Sequence, residues 1–172
     1  MYRNICLIGL PFSGKSLLGK RLSIKQKVGF IEIDKMIEYK CQSTIPKILK
    51  YIDAQNFINS EEHIASTIHC ENTIISTGGS IVYSNDAMRH LQKTLQSKVV
   101  FLDLTFDEFK KRYEDTTIPE RGIVNPDNLS LDKFYFQRTN LYNLYADQTI
   151  DADNKRTAYK LLEKDHFNFF NL

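Results

Sequence analysis

The sequence predicts an α/β fold with a five-stranded, mainly parallel sheet flanked by helices. Three observations predict it. Apolar β-type runs alternate with helical patterns along most of the chain. A glycine-bounded loop, "GLPFSGKS" at residues 9–16, separates the first such run from the first helical pattern. The chain has 172 residues, 42% hydrophobic and 26% charged, which suits one globular domain with a sizeable core. No repeat, low-complexity segment or linker divides it, so residues 1–172 are expected to form a single domain.

Each element has a local signal. Residues 3–8, "RNICLI", read as a buried strand. "SLLGKRLSIKQ" reads as a helix with Leu17, Leu18 and Leu22 on one face. "GFIEID" at 29–34 is a second strand, and helical segments follow, broken near Pro46 and by the polar "DAQN". "SEEHIASTIH" at 60–69 opens as a helix with a serine cap and early acids. "NTIIST" at 72–77 is a third strand stopped by "GGS". "SNDAMRHLQKTL" is a helix capped by Ser84, and "KVVFLDL" at 98–104 is a fourth strand followed by the helix "TFDEFKKRYE". A polar stretch with two prolines and a glycine occupies about 114–128, with little apolar material to anchor it. "SLDKFYFQRTNLYNLYA" is helical, "QTIDA" is a fifth strand, and "NKRTAYKLLEKD" a last helix. The aromatic tail "HFNFFNL" is expected to pack on its own domain.

Composition excludes several function classes. A net charge of +2 advertises no nucleic-acid footprint. Cys6, Cys41 and Cys70 are odd in number and widely spaced, so neither a disulfide framework nor a metal site is expected, and a reducing cytoplasm is. The longest apolar stretch, "ICLIGL", is too short to span a bilayer, and no signal-peptide pattern is present. His63, His69, His90 and His166 lack metal-ligand spacing.

The loop "GLPFSGKS" fits the pattern G-x-x-x-x-G-K-[ST] in the context that pattern requires, between a strand and a helix. Gly9 and Gly14 let the chain curl without a Cβ in the way. Residues Gly9, Leu10, Pro11, Phe12, Ser13, Gly14, Lys15, Ser16 and Leu17 are therefore candidates for binding the phosphates of a nucleoside triphosphate, with backbone N–H groups converging at a helix N-terminus. Lys15 would reach the β- and γ-phosphates, and the Ser16 hydroxyl would ligate Mg2+. In open parallel sheets ligands sit beyond the carboxyl ends of the strands. Glu32 and Asp34 there differ by two positions and are expected to share one face of the second strand. Gly78 and Gly79 end the third strand and permit close approach of a ligand. Asp103 ends the fourth, where an acid can assist Mg2+ or simply face solvent.

"GLPFSGKS", "FIEID", "IISTGGS", "ERGIV" and "QRTNLYNLYAD", in that order, resemble shikimate kinases, and the resemblance runs from about residue 4 to residue 151. It implies a P-loop kinase fold, a mobile lid, a monomer, ATP and Mg2+ as cofactors, and a small hydroxylated acid as acceptor. By the same resemblance Asp34 holds the reacting hydroxyl and takes its proton, and Glu32 stands where the family has an aspartate that organises Mg2+. Gly78 and Gly79 contact substrate, with Ser80 in place of a third glycine. Arg121 matches the lid arginine, followed here by Gly122 rather than proline. Arg138 matches an arginine that binds the substrate carboxylate, and Arg112 one near adenine.

One departure stands out. Shikimate kinases carry an "FR..E" element whose arginine grips the substrate carboxylate, and the matching text here is "FINSEE", residues 57–62. Alignment on Phe57 puts Ile58 at the arginine, and alignment on Glu62 puts Asn59 there. No lysine or arginine occurs from Tyr51 to Cys70. Neither Ile nor Asn can make a bidentate pair with a carboxylate. Three readings stay open at this point: a shikimate kinase that relies on Arg138, a kinase for another small alcohol such as a hydroxy amino acid whose amine meets Glu61 or Glu62, or a non-catalytic nucleotide-binding protein.

Overall fold

The structure is a computed structural model that describes residues 2–115 and 122–164. Its centre is a five-stranded parallel sheet: β1 (Asn4–Ile8), β2 (Gly29–Glu32), β3 (Thr73–Ser76), β4 (Ser97–Asp103) and β5 (Gln148–Asp151), in the order β2-β3-β1-β4-β5. In register, Cys6 lies between Ile75 of β3 and Val99 of β4. Every residue of β1 and β3 is buried, as a continuous apolar run in a doubly covered parallel sheet should be. The helices are α1 (Lys15–Gln26), α2 (Ile33–Cys41), α3 (Ile45–Ile48), α4 (Ala54–Ser66), α5 (Asn85–Arg89), α6 (Phe106–Glu114), α7 (Leu131–Tyr145) and α8 (Lys155–Lys164). A π-type turn over His90–Thr94 prolongs α5. Gly19 lets α1 close on the sheet: a Cβ there would stand 2.9 Å from Phe30 Cε2 and 3.0 Å from Leu7 Cδ1.

The order of elements follows the sequence reading, with differences that have local causes. The second strand stops at Glu32, and Asp34 lies in the first turn of α2. The alternation of strand faces therefore does not relate Glu32 to Asp34. The helix expected from Ser60 starts six residues earlier. Asp53 caps it, accepting from Asn56 N–H at 2.8 Å, and the "DAQN" text begins the helix rather than separating helices. Ser60 is internal and donates back to the Asn56 carbonyl at 2.8 Å. Pro46 sits in the first turn of α3, where a missing N–H leaves nothing unsatisfied. Leu18 and Leu22 are buried but Leu17 is 43% exposed, so α1 presents a narrower apolar face than expected.

Ser84 caps α5 as expected, accepting from Ala87 N–H. Thr105 caps α6 in the same way through Glu108 N–H. Arg121, the central part of the expected lid, and the tail "HFNFFNL" lie outside the described residues. Among the described residues no helix is long and apolar enough to cross a membrane, and Cys6, Cys41 and Cys70 are free thiols.

Candidate active site

The loop after β1 is built from unusual backbone. Gly9 (φ 148), Phe12 (φ 68) and Gly14 (φ 92) all have positive φ, which curls the chain over the N-terminus of α1. Gly14 offers α1 no side-chain cap, so the first-turn N–H groups are open to an anion. Lys15 is buried and folds over the loop, donating to Gly9 O at 2.8 Å and Leu10 O at 2.9 Å. Ser16 Oγ donates to Glu32 Oε1 at 2.5 Å, which brings the end of β2 against the start of α1. Arg112 of α6 braces the loop from outside, donating to Phe12 O at 2.9 Å, to Asp153 O at 2.7 Å and to Glu108 at 2.7 Å.

These residues open onto a cleft of about 710 Å³, walled by Lys15, Ser16, Glu32, Asp34, Thr77 and Arg112 among others. The volume suits a nucleotide-sized ligand. The uncapped helix, the left-handed loop and the lysine fit a polyphosphate. The Ser16 hydroxyl and Glu32 carboxylate form an oxygen pair that fits Mg2+, an ion that keeps several waters and needs few protein ligands. Among the described residues there is no cluster of three or more His, Cys, Asp or Glu capable of holding a metal.

A second, smaller cavity of about 30 Å³ adjoins the cleft, lined by Phe57, Glu61, Ser80, Val124, Phe134 and Arg138 among others. Pro11, Asp34, Ile45, Gly79 and Gly122 line both, so Asp34 stands at the border between the two compartments. Arg138 is brought in by spacing. Phe134, Arg138 and Tyr142 recur every four residues on the inward face of α7, and all three are buried. The guanidinium lies 4.2 Å from the centre of the Tyr83 ring and 5.1 Å from that of Phe134. It donates to Gly79 O and to Val124 O, and Tyr142 also donates to Gly79 O at 2.8 Å. Burial pushes the Tyr142 phenol up to about 12, which keeps it a donor.

Gly78 and Gly79 have different duties. A Cβ on residue 78 would overlap the Glu61 carboxylate and stand 2.6 Å from Asp34 Oδ1. Gly79 contributes its carbonyl to Arg138 and Tyr142 and faces both cavities. Glu61, on the buried face of α4 with Phe57, Ile58, Ile64 and Ala65, is wholly buried. Burial first, and the neighbouring Asp34 second, push its carboxyl up to about 8.

The structure therefore brings together Lys15, Ser16, Glu32, Asp34, Gly79, Arg112 and Arg138, with Leu10 buried beneath the loop and Leu17 on the cleft wall. It does not bring in Asp103. That residue is half-buried, lines neither cavity, and faces Asp151 and Asp153; burial and those two acids raise its carboxyl. Sequence reasoning undervalued Glu61, Ser80 and Thr77. An acid four residues after Phe57, in register with the apolar face of a helix, was the available signal for Glu61. On α4, Phe57 and Glu61 both face the small cavity and Ile58 is buried, while Asn59 is exposed and bonded to Gln55.

A parallel sheet of order β2-β3-β1-β4-β5, a phosphate loop after β1 and an adjoining polar pocket define a P-loop kinase acting on a small molecule. The chain belongs to the shikimate kinase family, whose pattern it matches over residues 11–165. It is 35% identical over 151 residues to the shikimate kinase of Staphylococcus aureus strain MSSA476, spanning 86% of this chain and 83% of that one. It is 29% identical over 157 residues to the shikimate kinase of Clostridium beijerinckii, spanning 90% and 89%. Among solved structures, a shikimate kinase from Acinetobacter baumannii in complex with shikimate superposes with a TM-score of 0.76 at 24% identity, covering 99% of this chain and 96% of that one. This last likeness is one of fold.

Proposed function

We propose that the protein transfers the γ-phosphoryl group of ATP to a hydroxyl of shikimate, giving shikimate 3-phosphate and ADP. The observation that carries the reading is the position of Asp34, on the border of a phosphate-binding cleft and a pocket floored by a buried arginine. Family membership supplies the acceptor: the matched relatives are shikimate kinases, and one solved structure of that kind holds shikimate.

In this reading the loop from Gly9 to Leu17 binds the phosphates, and Lys15 leaves the carbonyls of Gly9 and Leu10 for phosphate oxygens. Arg112 supports the loop near the adenine end. Asp34 accepts a hydrogen bond from the acceptor hydroxyl and takes its proton as the new O–P bond forms and the bond to the β-phosphate oxygen breaks. Arg138 holds the acceptor carboxylate with its unpartnered Nε, while Gly78 and Gly79 let the acceptor ring approach the backbone. Arg121 supplies positive charge from the lid, about 114–128. Ser16 and Glu32 would hold Mg2+, which when bound neutralises charge on the β- and γ-phosphate oxygens. A cavity of about 30 Å³ holds little more than a water, so acceptor binding requires it to widen. The reading extends to a cytoplasmic monomer and one kinase domain.

The test is ADP release measured with shikimate and with a panel of small alcohols that includes hydroxy amino acids. Shikimate should be the best acceptor. Lys15→Ala should impair nucleotide binding, and Asp34→Asn should stop transfer while ATP still binds. Near-normal turnover by Asp34→Asn would overturn the assignment of that residue. Slow ATP hydrolysis that no acceptor stimulates would favour a nucleotide-binding protein without transfer.

A further inference from the structure

Glu61 is unlike the other acids of the site. It is wholly buried, lines the small cavity, and neither carboxylate oxygen has a hydrogen-bond partner. Position 58, one helical turn back on the same buried face, is isoleucine and supplies no cation. Ser80, which stands where the resemblance expects glycine, turns its hydroxyl toward Glu61, a pull that burial outweighs. Two departures from the family pattern thus meet at one carboxylate.

The charged and titratable groups that face it are few. Asp34 comes from α2, Lys15 from α1, and Arg138 and Tyr142 from α7. Arg138 directs both Nη groups at carbonyls, those of Gly79 and Val124. On the elements packed beside α4, Ser84 donates to Glu62, Asp86 pairs with Arg89, and His90 meets the Ile68 carbonyl. None of these compensates Glu61. A buried carboxylate without donors takes up a proton rather than stay ionised. A second carboxylate at its side strengthens that preference, because two such charges cannot share one dry site. Burial and Asp34 outweigh the opposing pull of Ser80, Arg138 and Lys15.

We propose that Glu61 works as an uncharged carboxylic acid and is a specificity-determining residue of the acceptor pocket, its O–H donating to an oxygen of an anionic acceptor held between Arg138 and Asp34. The acid supplies the donor that Ile58 cannot. While it keeps its proton the pocket accepts a second anion beside Asp34. Once it ionises, the pocket repels one. This rests on the reading of the acceptor as a hydroxylated acid.

Two measurements test it. The first is acceptor KM for shikimate against pH, with ATP KM as the internal control. In the wild-type protein acceptor KM should climb above about pH 8, approaching roughly tenfold per pH unit, while ATP KM does not follow. Glu61→Gln should raise acceptor KM about threefold to tenfold at neutral pH, since an amide is a weaker donor, and should flatten the climb. A flat wild-type profile, or the same climb in Glu61→Gln, overturns the proposal. The second is infrared spectroscopy of the protein alone, without acceptor. The carbonyl stretch of a buried protonated carboxylic acid should be present at neutral pH and absent in Glu61→Gln. Its absence from the wild type overturns the proposal whatever the acceptor is. Its presence with no turnover of shikimate upholds the neutral acid and sinks shikimate as substrate.

Discussion

Replacement of Glu61 by glutamine should change how the stability of the fold depends on pH. In the native state Glu61 holds its proton to about pH 8, against an ordinary value of 4.5. Between those limits the native protein binds one proton more than the unfolded chain. Wild-type stability from this group is fully present below about pH 4.5 and is lost as pH rises toward 8, at about 1.4 kcal/mol per pH unit. Across the window the loss is on the order of 4–5 kcal/mol, a large share of the stability of a domain this size. The quantity belongs to the Asp34–Glu61 pair, since the two carboxylates share one site. Glutamine fills the same space and does not titrate. The unfolding free energy of Glu61→Gln relative to wild type should therefore grow steadily in favour of the variant from mildly acidic to mildly alkaline pH, then level off. Urea unfolding of both proteins at several pH values reads this difference directly. Asp103, raised mainly by burial, and Glu38, lowered mainly by Lys35 and the Ile45 N–H against burial, contribute equally to both proteins and cancel. A difference that stays constant with pH would refute the argument, because it would mean that Glu61 is ionised in the folded protein.

Ile58→Arg should lower the acceptor KM for shikimate about tenfold to a hundredfold by adding a charge-assisted contact, at a stability cost of about 1.5–3 kcal/mol for the lost apolar burial. Asn59→Arg, on the solvent side of α4, should leave KM unchanged; steady-state kinetics of the pair would expose an error in the register if the two results were exchanged. Arg138→Lys should raise the acceptor KM by at least tenfold and lower the melting temperature, since an ammonium cannot hold Gly79 O, Val124 O and the acceptor with a planar fork. Thermal unfolding and kinetics check it, and a silent substitution would remove Arg138 from the pocket. Amide hydrogen exchange over residues 114–128 should slow when nucleotide and acceptor are both bound; equal protection with and without ligands would count against a lid.

What the sequence by itself determined is local. The strand–loop–helix around "GLPFSGKS" follows from a buried apolar run, glycines that permit positive φ, and a helix start, all within about twenty residues. The alternating strands and helices set the sheet, whereas residues alone read Arg138 as a helix-surface arginine and only packing turns it inward. The tertiary structure decided what depends on distant segments meeting. The helix α4 begins after Asp53 rather than at Ser60, because the earlier turns bury Phe57, Ile58 and Glu61 against distant parts of the chain. The unfavourable Glu61 site is likewise invisible locally. Four separated pieces of chain supply Asp34, Glu61, Gly78 with Ser80, and Arg138, and packing brings them to one small volume at the carboxyl end of the sheet. A carboxylate's charge is set by its surroundings rather than by its neighbours in sequence, because loss of water and a second acid a few ångströms away act through space.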